Sequence, residues 1–414
     1  MKKTLKLALF ALLGLIAVAY LVLYFGYQRY RPSRVQHEVL PAALGYFHES
    51  YEDCRAAFLE KAAQLAQRYD GVEVFSVPVP GTTDTDLVVD CCFVPAQKTP
   101  RSFFILSSGV HGIEAFAGSA VQLMAMEELL TPGRLGSMGV LLIHGLNPYG
   151  FKYSRRVTEN NVDLNRNCAV DESLYGTHSE GYGNLNDLLN PEGAANDRNL
   201  RNRHFPFIMA QRMAKESKRV LRQAILQGQY EYPKGVYFGG KKIEPQITAL
   251  SPILKEKMAP YSMILTIDVH TGFGKNGGMH LFANPIENAK LKTGLEALFD
   301  GYTIDWGDSE DFYTIGGSFA EYVGSLAPGK AYYAMPIEYG TLDSQRTYGA
   351  IRSLQNMILE NQGFHQGYQD KKAEARIKKT FSEMFYPSDK AWRSKSVSEV
   401  KRMLELVLDR LGQE

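Results

Sequence analysis

Apolar positions along the chain fall into two alternating patterns: short continuous runs and longer stretches with helical spacing. Residues 72–77 and 87–94 read as strands across a Gly81-Thr82 turn. Ser102–Ser108 (SFFILSS) is a short apolar run between turn signals, which suits a strand buried on both faces. Residues 139–143, 263–269, 279–283 and 332–337 repeat that pattern. Between them, residues 52–69, 117–130 and 205–228 have helical character. Near the end, Val397, Val400, Leu404, Val407 and Leu411 follow a 3,4,3,4 spacing, the mark of an amphipathic helix lying on a domain. Strands alternating with helices predict one α/β domain whose sheet is covered on both faces. Residues 171–202 break the pattern. They are rich in Gly, Asn and Asp with little periodicity, and read as a long surface excursion.

The first apolar run is of another kind. Residues 7–27 carry no charge over 21 positions, enough helix to cross a hydrocarbon core of about 30 Å. Lys2, Lys3 and Lys6 precede it, and Arg29, Arg31 and Arg34 follow. Ala17-Val18-Ala19 offers a signal-peptidase exit, but the run continues through Phe25, too long for a cleaved signal. The expectation is an uncleaved single-pass anchor over residues 1–34. The flanking charges nearly balance, and the terminal amine tips the orientation to N-inside. That places the main domain outside the cytoplasm, facing the periplasm if the membrane is a bacterial inner one. The remainder divides into a main domain at 35–380, elaborated at 171–246, and a C-terminal amphipathic helix at 381–414.

Composition narrows the functional classes. The chain has 414 residues, 45% hydrophobic and 22% charged, so a largely disordered chain is excluded. A formal charge of +1 gives no global field for nucleic acid. Four cysteines are too few for a disulfide scaffold. Cys91 and Cys92 are neighbours in a predicted strand and face opposite sides, as packing residues do.

Four clusters of chemically capable residues each follow a buried strand or end one, where open α/β sheets bind ligands. The first is Gly109-Val110-His111-Gly112-Ile113-Glu114. One helical turn can aim His111 and Glu114 at a common point, and imidazole and carboxylate are suitable zinc ligands. The second is Asn147-Pro148-Tyr149-Gly150, then Arg155-Arg156, then Val162-Asp163-Leu164-Asn165-Arg166-Asn167. It reads either as a solvated loop with an ion pair or as an anion site, since guanidinium meets carboxylate at two points. In the third, Asp268 and His270 share a strand face, and His270 is placed for a third ligand. The fourth ends a strand in Glu338, a carboxylate costly to bury unless paired or functional.

Together and in this order, these residues resemble the zinc carboxypeptidase family over about residues 102–340. H-x-x-E is followed by N-P-x-G, Arg, V-D-x-N-R-N, a distant His after a strand, and a strand ending in Glu. SSGVHGIEAFAGSA and YPKGVYFGG (residues 232–240) are similar to an uncharacterised, mostly bacterial branch. The resemblance implies a mixed twisted sheet and one Zn²⁺ held by His111, Glu114 and His270, with a water whose pKa the metal lowers. It implies Glu338 as general base, Arg156 as oxyanion stabiliser, and Asn165 with Arg166 as receivers of the substrate's carboxylate. Asp163 would fix the tautomer of His111, and by strand geometry Asp268 would do the same for His270. Arg155 competes with Arg156, whose spacing is better. An assisting Tyr would come from Tyr313, Tyr322 or Tyr332, with no motif selecting among them.

The implied activity is hydrolysis of a peptide amide next to a free carboxylate by metal-activated water. Two other readings compete: an N-acyl amino acid deacylase of the aspartoacylase and succinylglutamate desuccinylase type, and a non-catalytic membrane-anchored binding protein. A closed pocket would favour the deacylase over the peptidase. The presence of every ligand, Glu338 and both arginines speaks against the binding protein. About 155 residues separate Glu114 from His270, so the elaboration at 171–246, with YPKGVYFGG, is expected to shape the pocket.

Overall fold

The computed structural model describes residues 2–306 and 315–413. One sheet of eight strands organises it: β1 (Glu73–Pro78), β2 (Val88–Val94), β3 (Ser102–Ser108), β4 (Met138–His144), β5 (Met263–Gly272), β6 (Met279–Phe282), β7 (Ile304–Asp305) and β8 (Ala331–Gly340). The order across the sheet is β1-β2-β4-β3-β5-β8-β6-β7. The central strands β4, β3, β5 and β8 run parallel; β1 and β2 pair antiparallel to their neighbours, and β6 pairs antiparallel to β8 and parallel to β7. Every residue of β3 and β4 is buried, because helices cover both faces, and this is why these strands are continuous apolar runs.

The longer helices are α1 (Lys2–Gln28), α2 (Tyr51–Arg68), α3 (Ala115–Met124), α4 (Phe205–Met213), α5 (Lys218–Leu226), α6 (Pro245–Met258), α7 (Ala289–Leu298), α8 (Phe319–Ser325), α9 (Thr347–Gln366), α10 (Lys371–Phe385) and α11 (Lys390–Gln413). Apolar side chains gather in two large clusters and a small one of Ala195, Leu359 and Ile377. One large cluster surrounds the sheet and includes the fully buried Val400, Met403, Leu404 and Val407 of α11. The other large cluster joins α4, α5, α9 and α10 with Tyr27 at the base of α1. All four cysteines are free and buried.

Three sequence expectations need correction, and one strand was not foreseen. The 205–228 helix is two, because Ser217 caps a new start by accepting from Val220 N at 3.2 Å. The 171–202 excursion is not simply surface: Asp171, Ser179 and Asn199 cap short helical turns, and Tyr182, Leu185 and Leu189 are buried in the second cluster. The 381–414 segment is not one helix. α10 runs to Phe385, Pro387 follows, and Asp389 accepts from Ala391 N at 2.8 Å to start α11. Strand β7, two residues long, has too little pattern to be foreseen.

Over Thr4–Gln28, α1 is long and apolar enough to cross a membrane, and its apolar window is unburied. Its C-terminal part packs on the rest. Tyr20 stacks on Phe207 of α4, with ring centroids 4.3 Å apart. The Tyr27 hydroxyl donates to Gln355 of α9 at 2.7 Å.

Candidate metal centre

After β3 the chain turns through Gly109 at φ +75°, where a Cβ would lie 2.7 Å from that of Ala115. At Gly112 a Cβ would stand 2.2 Å from the Gly150 carbonyl carbon, so only glycine lets these two turns touch. Asn147 ties the contact together. It accepts from Gly150 N at 2.9 Å and donates to the Arg156 carbonyl at 3.1 Å. Gly112 N and Ile113 N donate to the Arg156 and Arg155 carbonyls at 3.0 and 2.8 Å. The H-x-x-E turn, the N-P-Y-G turn and the paired arginines thus form one stitched unit at the end of β3. β5 and β8 then bring His270 and Glu338 beside it, and these two are register partners.

His111 Nδ1 lies 3.0 Å from Glu114 Oε1, and His270 Nδ1 lies 3.1 Å from Glu114 Oε2. The two Nδ1 atoms are 3.2 Å apart. All three side chains are at most 3% exposed. Two ring nitrogens and a carboxylate oxygen crowded so closely form a group able to hold one metal ion. Tetrahedral zinc, with bonds of about 2.1 Å, sets its ligands about 3.4 Å apart, so the donor set and spacing fit. The far nitrogens face carboxylates: Asp163 is 3.2 Å from His111 Nε2, and Asp268 is 2.6 Å from His270 Nε2, though out of line for a hydrogen bond. Ser107 Oγ fixes Asp268 from behind at 2.7 Å.

The electrostatics match a site built around positive charge. Burial works to lower the pKa of His270, yet the Asp268 and Glu114 carboxylates carry it well above the usual imidazole value. Burial works to raise Asp163, and Arg156, His111 and Arg166 hold it well below the carboxylate range. Glu338 behaves oppositely. Burial and the Glu114 charge push it up to about 8, against the pull of His270 and Arg156. Its nearest hydrogen-bond donor is Phe273 N, at 3.4 Å.

The neighbouring arginines part company. Arg156 reaches into the centre, 2.6 Å from His111 Nε2, 3.2 Å from Glu114 and 3.1 Å from Asp163. Arg155 turns away into a buried pair with Glu360 at 2.7 Å, its guanidinium 3.5 Å from the centre of the Phe364 ring. Asn165 and Arg166 also separate. Asn165 lines a cavity of about 520 Å³ beside His270 and Glu338. Arg166 is 1% exposed, and its Nε and Nη2 both donate to the Leu226 carbonyl, at 3.1 and 2.7 Å. That carbonyl sits at the last turn of α5, where helix carbonyls lack partners.

A second cavity, about 170 Å³, lies on the other side of Glu338, between α4, α5 and α9. Phe273 borders both. Of the tyrosines named above, Tyr332 lines the larger cavity, Tyr322 bonds Ser251 at 2.8 Å, and Tyr313 lies outside the described residues. Sequence reasoning missed Tyr237. It holds φ +58° and places its ring 5.8 Å from the Arg156 guanidinium and 6.0 Å from that of Arg166. The only signal was the glycine density of YPKGVYFGG, where a Cβ on Gly239 would strike the Tyr230 ring.

A family model described as "Protein of unknown function (DUF2817)" matches residues 47–399. The chain belongs to this family. No curated protein matches the DUF2817 chain. Among solved structures it is similar to bovine thrombin-activatable fibrinolysis inhibitor in complex with tick carboxypeptidase inhibitor, at 12% identity and TM-score 0.42, covering 76% of this chain and 96% of that one. It is similar to carboxypeptidase A from Helicoverpa armigera at 12% identity and TM-score 0.41, covering 85% and 81%. A succinylglutamate desuccinylase/aspartoacylase from Rhodobacter sphaeroides matches at 13% identity and TM-score 0.33, covering 72% and 66%. These likenesses are distant.

Proposed function

We propose that this DUF2817 protein is a zinc-dependent hydrolase that cleaves an amide bond next to a free carboxylate, as carboxypeptidases do. The observation that supports it is the meeting of His111 Nδ1, His270 Nδ1 and one carboxylate of Glu114 within 3.2 Å of one another, with Glu338 beside them on β8. One zinc ion held there would polarise the amide carbonyl and acidify a water.

The chain's own groups do the rest. Glu338 takes a proton from the attacking water and delivers it to the amide nitrogen as the C–N bond breaks, giving a carboxylate and an amine. With His111 Nδ1 committed as a ligand, its Nε2 bears the ring proton and gives it to Asp163. Arg156 Nη2 then faces a donor and turns toward the cavity, where it meets the negative charge developing on the carbonyl oxygen. Asn165 is placed for the substrate's carboxylate, and Arg166 joins it only by giving up the Leu226 carbonyl. In this reading residues 1–34 anchor the protein in a membrane with the catalytic domain outside the cytoplasm, and residues 35–380 carry the chemistry.

Metal analysis of the purified full chain tests this. Close to one zinc per chain is expected, falling below a tenth in His270→Ala. Full hydrolysis of a peptide and N-acyl amino acid library by metal-stripped protein would refute the proposal.

A further inference from the structure

The smaller cavity is built differently from the rest of the centre. Arg156, Thr271 and Glu338 stand at its catalytic end, and its walls are mostly apolar, with Met209 of α4, Ile225 of α5 and Ile351 and Met357 of α9, beside the polar Arg222, Ser344, Thr347 and Ser353. These four apolar wall residues belong to the second apolar cluster, and so does Tyr27 at the base of α1. The cavity and the membrane-spanning helix therefore share one packing unit, with α1 resting on α4 and α9 through Tyr20 and Tyr27. The segment beside them is basic in sequence. Residues 198–222 carry eight Lys and Arg against Glu216 alone, in a chain whose net charge is +1. A basic segment next to a membrane helix draws anionic amphiphiles to it.

We infer that this cavity holds the acyl chain of a membrane-derived N-acyl amino acid, whose amide is the bond cleaved. This rests on the hydrolase reading and names its substrate class. The acyl carbon meets the water at Glu338, and the amino acid departs on the Asn165 side with the proton that Glu338 carries. Water adds across the C–N bond, so the products are a fatty acid and a free amino acid. An apolar cavity of about 150 Å³ accommodates a benzene-sized group, so one of about 170 Å³ takes roughly six carbons before any wall moves. Unbranched methionine side chains let the wall give way to longer chains. Each methylene buried should raise kcat/KM about fourfold until the cavity fills.

The test uses full chain in lipid nanodiscs, since a detergent tail would compete for the cavity. Release of free amine is followed for N-acetyl and N-decanoyl forms of one amino-acid panel. The kcat/KM ratio of decanoyl to acetyl should exceed a hundred. Ile225→Trp, which fills the cavity, should lower that ratio at least tenfold. Met357→Ala, which enlarges it, should shift the optimum to longer chains. A misfolded variant would not move the two optima in opposite directions. Binding of dansyl-undecanoic acid to Glu338→Gln protein provides a readout without turnover. Equal rates on acetyl and decanoyl substrates, or probe binding indifferent to Ile225→Trp, would overturn the inference. Probe binding blocked by Ile225→Trp without turnover of any amide would sink the hydrolase reading and leave the acyl cavity standing.

Discussion

The two larger apolar clusters of this molecule are made of different material. The sheet cluster is continuous: β3 and β4 are buried at every residue, and the sheet delivers His270 and Glu338 from adjacent strands in register, with Glu114 on the turn that follows β3. The helical cluster is assembled from separate pieces, α4, α5, α9, α10 and the base of α1, and encloses a cavity lined partly by methionine. Metal ligation and proton transfer need side chains held to within fractions of an ångström, which parallel strands provide. Choice among substrates needs a wall that can adjust. The division predicts that chemistry and stability fail with the sheet, while selectivity changes with the helices.

The sharpest way to break that division is Glu338→Gln. Turnover should fall by about a thousandfold, the scale of a lost general base, while metal content stays near one zinc. Near-normal turnover by this variant would remove the sheet side's claim to the chemistry. A stability comparison comes next. Phe104→Ala, at a fully buried position of β3, should cost about 3–5 kcal/mol in denaturant unfolding. Ile351→Ala, on the cavity wall, should cost only about 1–2 kcal/mol, because one side of that side chain already lacks neighbours. Equal costs would mean that the helical cluster is packed as tightly as the sheet.

The same division explains what the sequence makes legible. Ser102–Ser108 is read to the residue, because a strand buried on both faces leaves an unbroken apolar run. His111, Glu114, His270 and Glu338 are found from their places at the ends of such runs, and the fold brings them together. The helical side is obscure for physical reasons. The partner of Arg166 is a backbone carbonyl sixty residues further on, and no side chain marks it. Tyr237 reaches Arg156 through a left-handed backbone that sequence does not announce. Tyr182 and Leu185 are core residues hidden in a polar, glycine-rich stretch. Arg155 and Arg156 differ by one position, and only the Glu360 pair on α9 shows which one turns away.

The smallest expected effect lies at the joint between the two regions. Asp343, fully buried just past β8, accepts from Ser33 N and Ser33 Oγ at 2.7 Å and from Asn276 N at 2.8 Å. It thereby ties the segment after α1 to the end of the sheet that carries His270 and Glu338. Burial works to raise its pKa, but the amide of Asn276 and the hydroxyl and amide of Ser33 prevail and lower it. A carboxyl lowered by folding stabilises the native state above its unfolded pKa, about 4, and loses that contribution as pH falls through the native value. Asp343→Asn should therefore lower the thermal midpoint of the full chain by about 2 °C at pH 7. The gap to wild type should close as pH drops below about 4. A gap that stays constant or widens in acid would mean that the charge of Asp343 does not hold the joint.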